Sequence, residues 1–320
     1  MNNELFTELD KLTTSNNNTD FQHLGLDTEK VKIAIERLRA FEPEDGYYLA
    51  YSGGKDSDCI KILAYLAGVK FEAVHNLTTV DAPETVYYIK SQSDVRIDSP
   101  ELSMWQLIVK KGIPPTRLIR YCCSELKERG GNGKVVVTGV RWSESSKRKE
   151  SAGLVKILGK PKATQKLADE KQLDYRISKM GGLILNDDND ENRRFVEHCY
   201  RTRKTLVNPI VDWSDKDVWE FLKFYGCESN PLYQCGFKRV GCVGCPMAGK
   251  HRYFEFERYP KYRDLYIHAF DRMLKAREER GLINRCGWKT GKDVFKWWMG
   301  EDPLQLTFEE LEMLSNEQNY

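Results

Sequence analysis

From Asp27 to Phe41, the apolar residues Val31, Ile33, Ala34, Ile35, Leu38 and Phe41 recur at three- and four-residue intervals. That is the period of a helix with one buried face. The short apolar run "YYLAYS" follows, then two glycines, then "SDCIKILAYLAG", where Cys59, Ile60, Leu63, Leu66 and Ala67 repeat with helical spacing. Gly68 is placed to cap that helix at its C-terminal end. "KFEAVHNL" reads as a second strand, Pro83 to Ser93 as a helix, 94–97 as a strand, 101–111 as a helix, and "KVVVTG" (134–139) as a buried strand. Strands that alternate with helices in this way predict an α/β fold, a doubly wound and mainly parallel sheet.

Residues 151–206 break the rhythm. They are rich in charge, contain "MGGLILNDDNDENRR", and read as an excursion off the sheet with hairpin character. Beyond them the pattern is helical. Ser214 and Asp217 form a capping pair ahead of Val218, Phe221, Leu222 and Tyr225, and a second stripe runs Tyr262, Leu265, Tyr266, Ala269, Phe270, Met273, Leu274. Both stripes are read as core. The expected organisation is a polar arm over 1–26, an α/β domain over 27–250 carrying the 151–206 insertion, and a helical region over 251–320.

Charged residues make up 31% of the 320-residue chain, yet the net charge is only +2. Such a balance lacks the basic excess of a protein that lives on nucleic acid. No apolar run approaches the roughly 20 residues of a membrane span, so the expectation is a cytoplasmic protein with no membrane partner. The nine cysteines fall partly into two tight groups, Cys122-Cys123 and Cys235/Cys242/Cys245. In a reducing compartment, grouping of that kind points to metal or redox chemistry rather than to a disulfide framework.

The glycines after the first strand carry the most chemistry. Ser52-Gly53-Gly54-Lys55-Asp56-Ser57 sits between a strand and a helix. Glycine lets backbone N–H groups approach phosphate oxygens, and the start of a helix adds partial positive charge. Two hydroxyls and the Lys55 ammonium complete an anion cradle. The spacing G-x-x-x-x-G-K-[ST] is absent, so the loop is not that of P-loop NTPases. Past the strand ending at Gly139 lie Arg141, Glu144, Ser145 and Arg148, where open α/β sheets bind ligands and where arginine forks suit phosphate or sulfate. Asp81 and Glu84 read equally well as groups orienting ribose, adenine or Mg²⁺ and as acids at a helix start.

The sequence S-G-G-K-D-S resembles the signature of PP-loop adenine-nucleotide hydrolases. "TTVDAPET" (78–85), "TGVRWSESSKR" (138–148), "NPIVDWSDKDVWEFL" and "NPLY…GFKRVGCVGCP" together resemble the phosphoadenylyl-sulfate (PAPS) reductase branch, from about Glu44 to Cys245. The resemblance implies a nucleotide site built from Ser52, Gly53, Gly54, Lys55, Asp56, Ser57, Asp81, Glu84, Gly139, Arg141, Glu144 and Arg148. ATP, adenylyl sulfate (APS) or PAPS would be the nucleotide, with Mg²⁺ as a further ligand it allows. Lys55 and Asp56 are the candidate catalytic groups of the loop.

Cys242-Val-Gly-Cys245 is a C-x-x-C in a glycine turn, a spacing that suits two thiolates on one metal centre. With Cys122-Cys123 it resembles the layout of iron–sulfur APS reductases, which implies one [4Fe–4S] cluster on Cys122, Cys123, Cys242 and Cys245. Cys235 is an alternate ligand, and a four-cysteine zinc site fits the same donor set. The reductases' C-terminal Glu-Cys-Gly-Leu-His motif is missing. Cys286 in "NRCGWKTG" is the remaining candidate nucleophile.

Two chemistries therefore stay open. One transfers or reduces the sulfonyl group of APS or PAPS, with a redox or sulfur-donor protein as partner. The other cleaves ATP to AMP and pyrophosphate, adenylating an acceptor for sulfur insertion, as in DNA phosphorothioation or RNA thiolation, which brings nucleic acid in as a partner. A third reading, from another class, is a non-catalytic nucleotide sensor with a structural Cys₄ site.

Overall fold

The structure is a computed structural model and describes residues 27–158, 161–179, 181–199, 204–282 and 287–301. The expected polar arm over 1–26, the candidate nucleophile Cys286 and residues 302–320 lie outside the described residues. Contacts divide the chain into two compact units. The first draws on residues within 1–75, 87–96 and 131–239, the second on residues within 76–86, 97–130 and 240–320.

In chain order the helices are α1 (Thr28–Ala40), α2 (Lys55–Ala67), α3 (Pro83–Lys90), α4 (Met104–Lys111), α5 (Ser146–Ser151), α6 (Pro161–Glu170), α7 (Asp190–Cys199), α8 (Asp215–Phe224), α9 (His251–Arg258), α10 (Pro260–Glu279) and α11 (Gly291–Met299). The strands are β1 (Tyr47–Ala50), β2 (Phe71–Asn76), β3 (Val95–Asp98), β4 (Val135–Val137), β5 (Val155–Leu158), β6 (Arg176–Ile177), β7 (Leu183–Leu185) and β8 (Lys204–Val207). They form one eight-stranded sheet in the order β3-β2-β1-β4-β8-β5-β7-β6. β2, β1, β4 and β8 run parallel, and β5, β7 and β6 add antiparallel pairs beyond β8.

The parallel part is apolar on both faces. Tyr47, Tyr48 and Leu49 in β1 and all three valines of β4 are buried, as expected of strands covered by helices on both sides. α2 is buried nearly all round through Cys59, Ile60, Ile62, Leu63, Ala64 and Ala67. α1 packs its predicted stripe inward, and the Tyr47 hydroxyl donates to the Leu38 carbonyl at 2.7 Å. Segment 151–206 does not leave the sheet as its charge suggested. Its strands are two to four residues long, too short to show a period, yet Val155, Ile157 and Leu183–Leu185 are buried and extend the sheet. The hairpin expectation holds for β6 and β7.

The second unit is helical and built around aromatic rings. Tyr266 of α10 packs edge-on to Trp105 of α4 at 4.9 Å between centroids and lies 4.7 Å from Trp298 of α11. The Trp298 indole N–H donates to the Pro115 carbonyl at 2.6 Å, and Arg277 Nη1 donates to the Gly112 carbonyl at 3.1 Å. Tyr266, Ala269, Phe270 and Met273 are buried, but Leu265 is exposed, so the core stripe of α10 is narrower than the sequence suggests. No helix among the described residues is long and apolar enough to cross a membrane.

Candidate functional site

The strand order reverses at β1, because the chain leaves it for β2 on one side and returns later to place β4 on the other. Ligands of open α/β sheets bind outside the strand ends at such a switch point. Two loops meet there, the glycine loop after β1 and the segment after β4. Gly139 is pinned by this meeting: a Cβ added to it would stand 2.8 Å from the Asp56 carbonyl oxygen.

The loop is closed by its own hydroxyls. Ser57 Oγ donates to the Gly54 carbonyl at 2.7 Å and accepts from the Gly54 N–H at 3.1 Å, while Ser52 Oγ contacts it at 3.2 Å. Gly53 takes φ +70°, a conformation costly for any side-chain-bearing residue. A later segment straps the loop from outside. The Asn230 amide donates to the Gly53 carbonyl at 2.9 Å, and the Lys55 N–H donates to the Tyr233 hydroxyl oxygen at 2.9 Å.

Four charges form the floor. Lys55 Nζ lies 3.0 Å from Asp56 and 3.2 Å from Asp215. The buried Arg141 guanidinium donates to Asp56 at 2.8 Å and to Asp215 at 2.6 Å, and its Nη1 reaches Ser143 Oγ at 2.8 Å. Burial alone would push Arg141 down, but Asp56 and Asp215 outweigh it and hold the guanidinium above its ordinary value. Burial likewise pushes Asp215 up, and the hydrogen bond from Arg141 with the charge of Lys55 brings it below the usual range. Glu144 accepts from the Arg141 N–H at 3.0 Å and lies 3.7 Å from Arg148, so both buttress this turn. Arg141 is thus engaged by carboxylates, where sequence chemistry suggested a free fork for sulfate.

Behind the loop lies a buried polar hub. The Tyr51 hydroxyl donates to Asp58 at 2.5 Å, with Tyr88 also hydrogen-bonded to Asp58 and Lys61 held by Gln92 and Asp94, each at 2.9 Å. Burial raises Asp58 to about 6 against the lowering effect of these partners.

The remaining candidates fall in the second unit. Asp81 accepts from the Thr78 N–H at 2.7 Å and bridges in antiparallel fashion to Cys242. Glu84 pairs with Arg258 at 2.7 Å and accepts from the Tyr259 hydroxyl at 2.8 Å. Burial pushes Glu84 up, and the hydrogen bonds from Arg258, the backbone and Tyr259, with the charge of Arg258, together outweigh it. Cys122, Cys123, Cys242 and Cys245 all belong to this unit, and Cys122 feels the other three electrostatically. The hydrogen bond from the Cys122 thiol, joined by Arg120 at 3.2 Å, lowers Cys123 to about 6. Burial and the Asp81 carboxylate push Cys242 up to about 12. Among the described residues no group of three or more His, Cys, Asp and Glu side chains is arranged to hold a metal ion. By donor chemistry the set still suits a tetrathiolate: four free thiols, two at a helix start (Cys122, Cys123) and two in a glycine turn (Cys242, Cys245), with Cys122 in electrostatic reach of the other three. Cys235 is exposed and belongs to the first unit, Cys59 is buried, and Cys227 hydrogen-bonds Tyr88 and Ser229.

Sequence reasoning missed Asp215, Asn230 and Tyr233. Asp215 was visible only as the first-turn acid after Ser214. Asn230 and Tyr233 stood inside the quoted "NPLY" without a role.

The sheet, its switch point and the closed glycine loop define a protein of the PP-loop α/β class. More narrowly, the chain belongs to the phosphoadenosine phosphosulfate reductase domain family, whose pattern it matches over residues 46–248, more than half its length. An uncharacterised protein of Methanocaldococcus jannaschii is 26% identical over 233 residues, covering 70% of this chain and 47% of that protein. An uncharacterised protein of Escherichia phage 186 is 36% identical over 194 residues, covering 57% of this chain and 44% of that one. The chain thus spans less than half the length of either. The adenosine 5'-phosphosulfate reductase of Allochromatium vinosum is 38% identical, but over 42 residues, 13% of this chain and 16% of the reductase. Among solved structures, the phosphate complex of PAPS reductase from Candida auris aligns at 14% identity and TM-score 0.41, covering 71% of this chain and 96% of that one.

Proposed function

We propose that the chain is an adenine-nucleotide-binding enzyme of sulfur metabolism that takes the sulfonyl group of APS or PAPS. The observation that carries this is the self-closed S-G-G-K-D-S loop at the β1/β4 switch point, in a chain of this family. The Lys55 ammonium beside this loop suits the phosphate–sulfate end of such a nucleotide, where negative charge grows on the leaving phosphate. A thiolate attacks the sulfonyl sulfur, a sulfur–sulfur bond forms, and the sulfur–oxygen bond breaks with its electron pair leaving on AMP or adenosine 3',5'-bisphosphate. A dithiol reductant then supplies two electrons and frees sulfite. The attacking thiolate would come from Cys286 or from a sulfur-donor or redox protein. Cys122, Cys123, Cys242 and Cys245 would hold a [4Fe–4S] cluster, with zinc as the alternative on the same donors. When bound, such a centre supplies local electrostatic and redox character.

The test is to incubate anaerobically purified protein separately with ATP, APS and PAPS, supplying dithiol. Sulfite with AMP, or with adenosine 3',5'-bisphosphate, is the expected product, and Ser57→Ala should abolish it. Pyrophosphate from ATP alone would replace this reading by adenylation. Failure of all three nucleotides to bind would overturn it.

A further inference from the structure

Three guanidinium groups converge on the turn that carries Cys245. Arg252 of α9 is only 8% exposed, its Nε donates to the Gly249 carbonyl at 3.3 Å, and its charge sits 4.9 Å from the Trp298 ring. Its Nη1 is buried and has no hydrogen-bond partner among the described residues. Arg117 Nε donates to the Pro246 carbonyl at 3.0 Å, and a Cβ on Gly249 would stand 3.1 Å from Arg117 Nη2. Arg120 donates to Cys123 Sγ at 3.2 Å and interacts electrostatically with Cys245. Burial and the charge of Arg117 oppose the protonated form of Arg252, while Cys245 and Glu255 favour it. The buried Glu255 is committed to the Gly244 N–H at 2.7 Å. Without an anionic centre beside it, this corner gathers like charges and leaves a buried donor unused, both of which are costly.

We propose that Arg252, with Arg117 and Arg120 beside it, is the built-in counter-charge of an anionic tetrathiolate centre on Cys122, Cys123, Cys242 and Cys245. This rests on the metal-centre part of the function proposed above. Four thiolates around a [4Fe–4S]²⁺ cluster or around Zn²⁺ both carry a net charge of about 2−, so the arginines answer a charge that the two centres share. Arg252 is a positioning residue here, since it acts through the centre and not on substrate.

The experiment uses the full chain purified anaerobically, with iron, acid-labile sulfide and zinc measured per chain. Release of the metal to a chelator is then timed in the wild type and in Arg252→Gln, Arg252→Lys and Arg120→Gln. Outer-sphere partners typically carry about 10- to 100-fold of metal affinity, and Arg252→Gln should release metal faster by that order. Arg252→Lys, which keeps the charge, should stay within a few-fold of wild type. Arg120 and Arg117 are exposed, so Arg120→Gln tests the charge without a buried substitution and should speed release several-fold. Iron with sulfide, or zinc alone, identifies which centre is held. Equal release from wild type and both glutamine variants overturns the inference, as does a lysine variant as leaky as the glutamine one. A wild type that binds nucleotide but holds no metal removes the tetrathiolate and this inference together, and leaves the nucleotide reading standing.

Discussion

Asp58→Asn should remove a pH dependence of stability that the wild type carries near neutrality. Asp58 is 2% exposed, and burial raises its carboxyl from 3.8 to about 6. In the unfolded chain it ionises near its ordinary value, so between those two values the folded state binds more protons. Stability from this group is therefore full below about pH 4 and declines as pH rises to about 6. A shift of roughly two units, at about 1.4 kcal/mol per unit, makes the full cost about 3 kcal/mol. Roughly 1 kcal/mol of it is already lost at pH 4.5, which leaves about 2 kcal/mol to appear between pH 4.5 and 7.5. Asparagine keeps an acceptor for the Tyr51 hydroxyl and never ionises. Urea unfolding of both proteins across that range should show the variant gaining about 2 kcal/mol on the wild type as pH rises. A difference that stays flat within about 0.5 kcal/mol would mean that Tyr51, Tyr88 and Lys61 keep the carboxylate charged at an ordinary value, refuting the account.

Two substitutions probe the loop itself. Gly139→Ala forces a methyl to within 2.8 Å of the Asp56 carbonyl, so the start of α2 must move. Calorimetric titration should show nucleotide affinity falling about tenfold, with a stability loss of about 1–3 kcal/mol, and unchanged affinity would place the ligand elsewhere. Asp215→Asn takes one negative charge from the balanced set of Lys55, Arg141, Asp56 and Asp215. Anionic nucleotide should bind about 5- to 10-fold tighter at low salt, the gain shrinking as salt is raised. Weaker binding would show that Asp215 orders the site instead of competing with phosphate.

The parts of this site that were legible in the sequence are those whose cause is local. Two glycines flanked by Ser52 and Ser57 at a helix start specify a closed loop from six consecutive residues, and the alternation of strands and helices places it at the end of a parallel strand. The cysteine turns were legible for the same reason, as short spacings. What was not legible depends on strand order. Tyr233 meets Lys55 across 178 positions and Asp215 meets Arg141 across 74, separations at which no local pattern points to a partner. The strands of 151–206 were hidden differently, because two to four residues give no period, and only their pairing in the sheet, β5 on β8, β7 on β5 and β6 on β7, reveals them.

Arg141 shows how partners far along the chain change the part that a residue type suggests. An arginine past a strand end suggests a fork waiting for an oxyanion, but its side chain is 2% exposed and spent on Asp56 and Asp215. Among these carboxylates the exposures differ, 28% for Asp56 against 73% for Asp215. Asp56 is fixed by the helix start and by the approach of Gly139, and so is held beside the arginine. Asp215 faces solvent at the first turn of α8, and on the function proposed above it is the group that a phosphate or sulfate oxygen would replace on Lys55 and Arg141. On that reading a carboxylate holds the place of the ligand's charge, while the arginine, bonded to Asp56 at the start of α2, fixes the loop's geometry.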